Sequence, residues 1–240
     1  MGVVAVAVGV VLLFPSVFDL DEETSTETFQ EVTNLVFDLE SSSVSFIGGS
    51  ADTVVEVSVT TGLLDGDVTV EQTDGTLRLN QTCPLILGWG CRAFFSVMLP
   101  AGVGVSGSTS NGFITAESLD EPISLTTSNG AINVVELAGS AVFMTSNGDV
   151  LASGLTSQEV EASTSNGRVQ LEFAAAPGSV EATSSNGAIE VILPPDAPAY
   201  AVETSTSNGR VETDIRTDPS SSDSIVAETS NGSITIRYGD

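Results

Sequence analysis

The sequence predicts an all-β chain, a single-stack β-solenoid of the parallel β-helix kind, and three observations lead there. Ser-Asn-Gly occurs seven times, at Asn111, Asn129, Asn147, Asn166, Asn186, Asn208 and Asn231, each followed by glycine (Gly112, Gly130, Gly148, Gly167, Gly187, Gly209 and Gly232). The steps between these asparagines are 18, 18, 19, 20, 22 and 23 residues, the mark of one supersecondary unit stacked on itself. From Val32 onward apolar and polar residues alternate at period two, and no stretch has a helical period.

The chain begins with its longest apolar run. Met1–Phe18 has no charged residue, and as a helix it would span about 27 Å, close to the ~30 Å of a bilayer core. A cleaved leader needs a basic start and a small-x-small site, which this run lacks. Residues 1–18 are therefore expected to be an N-terminal apolar helix that serves as a membrane anchor or signal segment, either whole or as the second half of a longer one, a buried core helix being the alternative. Residues 19–31, acidic and rich in Thr, read as a stalk.

Residues 32–100 read as an irregular amino-terminal β cap, because they lack the tripeptide. Strands are expected at Leu35–Leu39, Ser43–Ile47, Val54–Thr60, Asp67–Glu71, Thr76–Asn80 and Phe94–Leu99. Turn signals at Gly48-Gly49, Asp65-Gly66 and Asp74-Gly75 separate them. Cys83 and Cys91 frame a short apolar loop containing Leu85, Ile86, Leu87 and Trp89. If the anchor exports the domain, these cysteines pair, and closing so short a loop contributes roughly 2.5 kcal/mol in the chain-entropy treatment. Two free thiols are the alternative. With Phe94 and Phe95 just beyond it, the loop concentrates apolar bulk and reads either as a plug over the open solenoid end or as a partner or membrane contact.

Residues 101–240 hold the repeats. Two before each Asn stands Thr or Ser, and three after it stands Ile or Val in all seven copies: Ile114, Ile132, Val150, Val169, Ile189, Val211 and Ile234. Each unit is thus two short strands with one inward stripe and a corner at Asn-Gly, where positive φ is expected. An antiparallel meander would also place Asn-Gly between strands. Only stacking gives a reason to repeat the polar identities, since like side chains then meet at ~4.8 Å. The longer late steps are expected to be insertions at the opposite corner, around 174–179, 194–198 and 217–224.

Composition narrows the function. There are 32 acidic residues against 6 basic, all Arg, with no Lys or His and a net charge of -26. That argues against nucleic acid and anionic membranes. The acids alternate with aliphatics, as on solvated strand faces. Absence of Lys beside so many acids resembles halophilic proteins, in which molar salt screens the repulsion.

The run Phe94-Phe95-Ser96-Val97-Met98-Leu99-Pro100-Ala101-Gly102, followed by Ser-Asn-Gly-x-Ile, resembles the putative-adhesin family of bacteria and archaea. That family is a β-strand-repeat domain of unknown function related to heads of auto-transporter adhesins. The resemblance covers Phe29 to the end and implies an envelope-exposed β-solenoid, often behind a membrane segment. The Cys83–Cys91 insert departs from its pattern.

Chemistry is sparse. Nucleophile–base arrangements lack His and Lys, and no cofactor motif is present. Carboxylate-only hydrolysis would draw on Glu161, Glu172, Glu181, Glu190, Glu203 or Glu212, which read first as solvated columns. Asp65 and Asp67 form a weak cation candidate and read first as a turn; the nonapeptide of calcium β-rolls is missing. Asn80 begins a glycosylation sequon, as does Asn231 within the repeat. The expectation is a non-enzymatic, membrane-anchored extracytoplasmic rod that touches a surface glycan or an envelope protein. A sensor ectodomain is the alternative, and a polysaccharide-active enzyme the third.

Overall fold

The computed structural model describes residues 22–60, 67–82 and 92–239. The apolar run Met1–Phe18, Asp65, Cys83 and Cys91 lie outside the described residues, and with them the anchor, cation and disulfide expectations. Among the described residues no helix is long and apolar enough to cross a membrane.

Among the described residues all regular structure is β. The amino-terminal strands are β1 (Glu22–Phe29), β2 (Asn34–Leu39), β3 (Ser43–Gly48), β4 (Thr53–Thr60), β5 (Asp67–Thr73), β6 (Thr76–Thr82) and β7 (Arg92–Leu99). The first five repeats give β8 (Gly104–Thr109), β9 (Ile114–Leu119), β10 (Ile123–Thr127), β11 (Ile132–Leu137), β12 (Ala141–Thr145), β13 (Val150–Leu155), β14 (Glu159–Thr164), β15 (Val169–Phe173), β16 (Ser179–Asn186) and β17 (Ile189–Leu193). The last two give β18 (Ala201–Asn208), β19 (Val211–Asp214), β20 (Ser224–Asn231) and β21 (Ile234–Tyr238).

Two mixed sheets face each other. One, sheet A, runs β1-β4-β7-β3-β9-β11-β13-β15-β17-β21-β19, and the other, sheet B, runs β18-β20-β16-β14-β12-β10-β8-β2-β6-β5. Each repeat supplies one strand to each sheet, and strands of successive repeats pair in parallel and in register, Ile123 beside Val105 and Ala141, Ile132 beside Ile114 and Val150. The core is one column between the sheets. It is filled by the alternate residues the period marks, among them Leu125, Phe143, Val169, Leu171, Ile189 and Ile236, all at most 1% exposed.

The amino-terminal region is not a separate irregular cap. Strands β2 and β3 enter both sheets between the β6–β7 level and the first repeat, with Leu35 beside Val105 and Val44 beside Ile114. Their alternation is the same apolar-in pattern, and a bare sheet end next to them supplies the pairing. Among the described strands, antiparallel pairing is confined to one end of the stack, in β1–β4, β4–β7 and β5–β6.

The expected stalk is also partly strand. In β1, Thr24, Thr26 and Thr28 alternate with Ser25, Glu27 and the buried Phe29, and β-branched Thr suits an edge strand that carries little apolar surface.

Stack order departs from chain order at the carboxyl end. The seventh repeat, β20–β21, lies between the fifth and the sixth. Polarity decides this. Inward positions of the seventh are Ile225, Ala227, Ile234 and Ile236, none of them accessible, whereas the sixth has Val202, Thr204, Val211 and Thr213, all at least partly exposed. A wholly apolar coil needs neighbours on both sides, and a coil with Thr in the core stripe serves as the solvated cap that stacked folds require. The connections at 194–200 and 215–223 are long because they cross one level and return. Arg216 ties them together: its backbone N–H donates to the Tyr238 hydroxyl at 3.0 Å and its guanidinium donates to the Ala197 carbonyl. Tyr200 is fully buried beneath, donating to the Pro177 carbonyl at 2.9 Å.

Candidate functional site

The most regular feature is the Ser-Asn-Gly edge. Every Asn but the first donates its side-chain amide to the Asn Oδ1 of the level before it, at 3.0 Å for Asn129 to Asn111 and Asn186 to Asn166, and at 2.9 Å for Asn147 to Asn129, Asn166 to Asn147, Asn231 to Asn186 and Asn208 to Asn231. Inside it, the Thr or Ser hydroxyl two residues earlier donates to a glycine carbonyl of the previous level, as in Thr145 to Gly130 and Thr164 to Gly148. At the amino-terminal end Ser41-Ser42 stands where the tripeptide would. Thr109 donates to the Ser42 carbonyl at 2.8 Å, while the Ser42 hydroxyl donates to Gln81 Oε1 and accepts from the Ala93 N–H.

The corner glycines are needed for space, not for positive φ. None of the seven has a left-handed backbone. A Cβ built on Gly148 would lie 1.9 Å from the Gly130 carbonyl oxygen, and one on Gly187 would lie 1.8 Å from that of Gly167. Positive φ instead recurs seven residues after Asn, at Ser118 (φ 56°), Glu136 (57°) and Gly154 (67°). There a bulge leaves two consecutive residues outside before Leu119, Leu137 and Leu155 return to the core.

Three of the four invariant corner positions are thereby explained by stacking. The serines, Ser110 through Ser230, are exposed beside the exposed asparagines and form a polar ridge along one edge of the rod. Asn80 lies within β6, half-buried, its amide 3.5 Å from the Thr69 hydroxyl.

The glutamates proposed for hydrolysis are divided between the two outer faces. Glu161, Glu181 and Glu203 are on sheet B, with Glu161 beside Glu181, and Glu172, Glu190 and Glu212 on sheet A. Glu190 accepts from Arg237 at 3.1 Å. Asp67 is exposed at the start of β5, and among the described residues no three Asp, Glu, His or Cys converge. A shallow depression of about 480 Å³ at the carboxyl-terminal end is lined by Tyr200, Glu203, Thr213, Thr217 and Pro219. Its hydroxyls and single carboxylate provide no nucleophile–base pair.

Of the two phenylalanines the sequence groups with the apolar loop, Phe95 is buried and Phe94 is exposed, and Phe94 is part of a wider apolar area on one outer face that the sequence reading did not include. Ile47 on β3, Phe94 and Met98 on β7, Val135 on β11 and Phe113 in the turn before β9, from 40% to 60% exposed, all belong to the outer side of sheet A. Their signal in the sequence is an aliphatic or aromatic residue at the polar phase of the alternation.

Comparison with curated proteins finds no match. Among solved structures, the chain is similar to a putative cell adhesion protein from Clostridium sporogenes, at 13% identity and TM-score 0.42 over 91% of this chain and 100% of that one. It is also similar to a putative adhesin from Bacteroides fragilis, at 14% identity and TM-score 0.48 over 92% and 98%. A third is a putative lipid binding protein from Parabacteroides distasonis, at 12% identity and TM-score 0.33 over 92% and 97%. The family model described as Toastrack DUF4097 matches residues 24–238, from β1 to the end of β21, and the protein belongs to that family.

Proposed function

We propose that the protein is a membrane-anchored, extracytoplasmic rod that makes adhesive contacts and catalyses no reaction. The observation that carries this reading is the distribution of side chains. The most regular residues hold the levels together, and among the described residues the polar side chains left over are spread along open faces and one edge and do not converge in a cleft. Such a surface suits many weak contacts acting together, which linkage to one rigid body converts into avidity. A surface glycan or an envelope protein is the partner class it fits. Met1–Phe18 would hold the rod at the membrane, Cys83 and Cys91 would be oxidised in that compartment, and the excess of acid would suit concentrated salt.

The test is binding of the full chain, embedded in lipid nanodiscs, to arrayed glycans and to envelope fragments. The proposal expects retention that rises steeply with ligand density. Density-independent, one-to-one capture of a single membrane protein would favour the sensor reading and contradict this one.

A further inference from the structure

The geometry points to a second membrane contact: the exposed Phe94 and Phe113 insert into the interface of the bilayer that holds Met1–Phe18. The inference rests on the anchor reading above. Strand β1 begins at Glu22, with only three residues between it and an apolar run that ends at Phe18, so the rod starts within about 14 Å of that run.

The register then fixes which part of the rod lies there. Glu22 is beside Thr60, and Thr60 is beside Arg92, at the start of β7. Strand β7 runs parallel to β3 and β9, so the chain joins the rod at the Ser-Asn-Gly edge. Phe94 sits at that same level, beside Ser43, and Phe113 on the far side of Ser43, whose hydroxyl accepts the Phe113 N–H at 3.1 Å. Two and four strand spacings from β1 place them roughly 10 and 19 Å from where the chain joins.

Phe94 is 47% and Phe113 60% exposed, large exposure for aromatics in a chain with so few. The residue two after Asn changes along the rod: Phe113 is followed by Ala131, Asp149, Arg168, Ala188 and, beyond them, Ser233 and Arg210. Among the seven repeats, this position is bulky and apolar only in the first, at the end next to the anchor. The positions directly beside the rings are uncharged, Ser43, Ser58 and Thr115, and charged residues begin one register step away, Arg92 toward the edge and Glu56 beside Ser96, so insertion is confined to the rings themselves. Exposed apolar patches of this kind mark membrane or protein contacts, and the short tether selects the membrane.

The experiment uses the full chain in phosphatidylcholine vesicles, with Trp89→Phe as background and one reporter at a time: Phe94→Trp, Phe113→Trp, or Met144→Trp on sheet B. The first two should shift to the blue and lose most of their emission when the acyl chains are brominated, and the third should do neither. Vesicles that float with the chain but leave all three reporters unquenched would overturn the contact and leave the anchor standing. A chain that does not float with vesicles would overturn the anchor reading and this inference with it. As a control for folding, the exposed double substitution F94S/F113S should melt as the parent does and still float; a lowered melting temperature would assign the rings to the fold instead.

Discussion

Asn231 donates its side-chain amide to Asn186 at 2.9 Å across 45 residues of chain, and Asn208, which comes between them in sequence, is stacked outside Asn231. One ladder thus runs the length of the repeats while the chain that builds it changes order. The inward stripe of each coil decides its level. Ile236→Thr, which puts a hydroxyl into a fully enclosed site, should cost about 2–4 kcal/mol, whereas Thr213→Val in the cap coil should change stability by less than about 0.5 kcal/mol. Urea denaturation of the two variants checks this, and equal effects would contradict it.

The corner glycines give a sharper test. At a positive-φ position Gly→Asn is milder than Gly→Ala, since Asn tolerates that region. At Gly148 any Cβ meets the Gly130 carbonyl oxygen, so both substitutions should destabilise by about 1–3 kcal/mol. Gly49, with φ of 90° and nothing near its Cβ direction, should show the usual preference for Asn over Ala. Melting temperatures of the four variants decide it.

Asn147 both gives and receives a ladder bond, and Asn208 only gives one. Asn147→Ala should therefore cost roughly twice as much as Asn208→Ala, with about 0.5–1.5 kcal/mol for each bond. Equal losses would mean that the ladder follows the stack without stabilising it.

The chain has two tyrosines, and the crossover treats them differently. Burial, with Asp223 and Tyr238 nearby, pushes the Tyr200 phenol up to about 12. Tyr238 is lowered: its partial burial acts upward, but the hydrogen bonds and charge of Arg216 outweigh it. An unfolded Tyr200 ionises near 10 while the folded one keeps its proton. Its contribution is therefore whole below pH 10 and is lost as pH rises toward 12. Ultraviolet titration should show one early phenolate and one late one, and Tyr200→Phe should remove only the late step.

With a net charge of -26 and two ion pairs among the described side chains, Arg168–Asp149 and Arg237–Glu190, self-repulsion is largely uncompensated. The melting temperature should rise between ~0.05 M and ~1 M salt, where the Debye length falls to about 3 Å. A flat response would show that the acids are too far apart to matter.

Much of this architecture was legible because period two and the tripeptide both report side-chain direction. All six strands expected before Pro100 are present, within a residue or two at most ends. Strand β1 was hidden because Thr and Glu also make stalks, and its partner β4 is remote in sequence. The level occupied by β2–β3 was hidden because Ser41-Ser42 fills the corner without the motif. Stack order was written in Thr204 and Thr213, but a polar residue in a core stripe is informative only once the open end is known. The reason for glycine was misplaced, since clearance between levels leaves no trace in one coil's sequence. The apolar outer face of Phe94 and Phe113 became a patch only when β7 and β9 were brought to either side of β3.

Stack order at the carboxyl end is tested most directly by disulfide trapping in a Cys83→Ser/Cys91→Ser background. The structure sets Thr235 between Glu190 and Glu212, in register with both. Cysteines at 190 and 235, or at 212 and 235, should crosslink rapidly, and cysteines at 190 and 212 should not. Fast trapping of 190 with 212, and none of 190 with 235, would mean that the repeats stack in chain order and that the polarity argument is wrong.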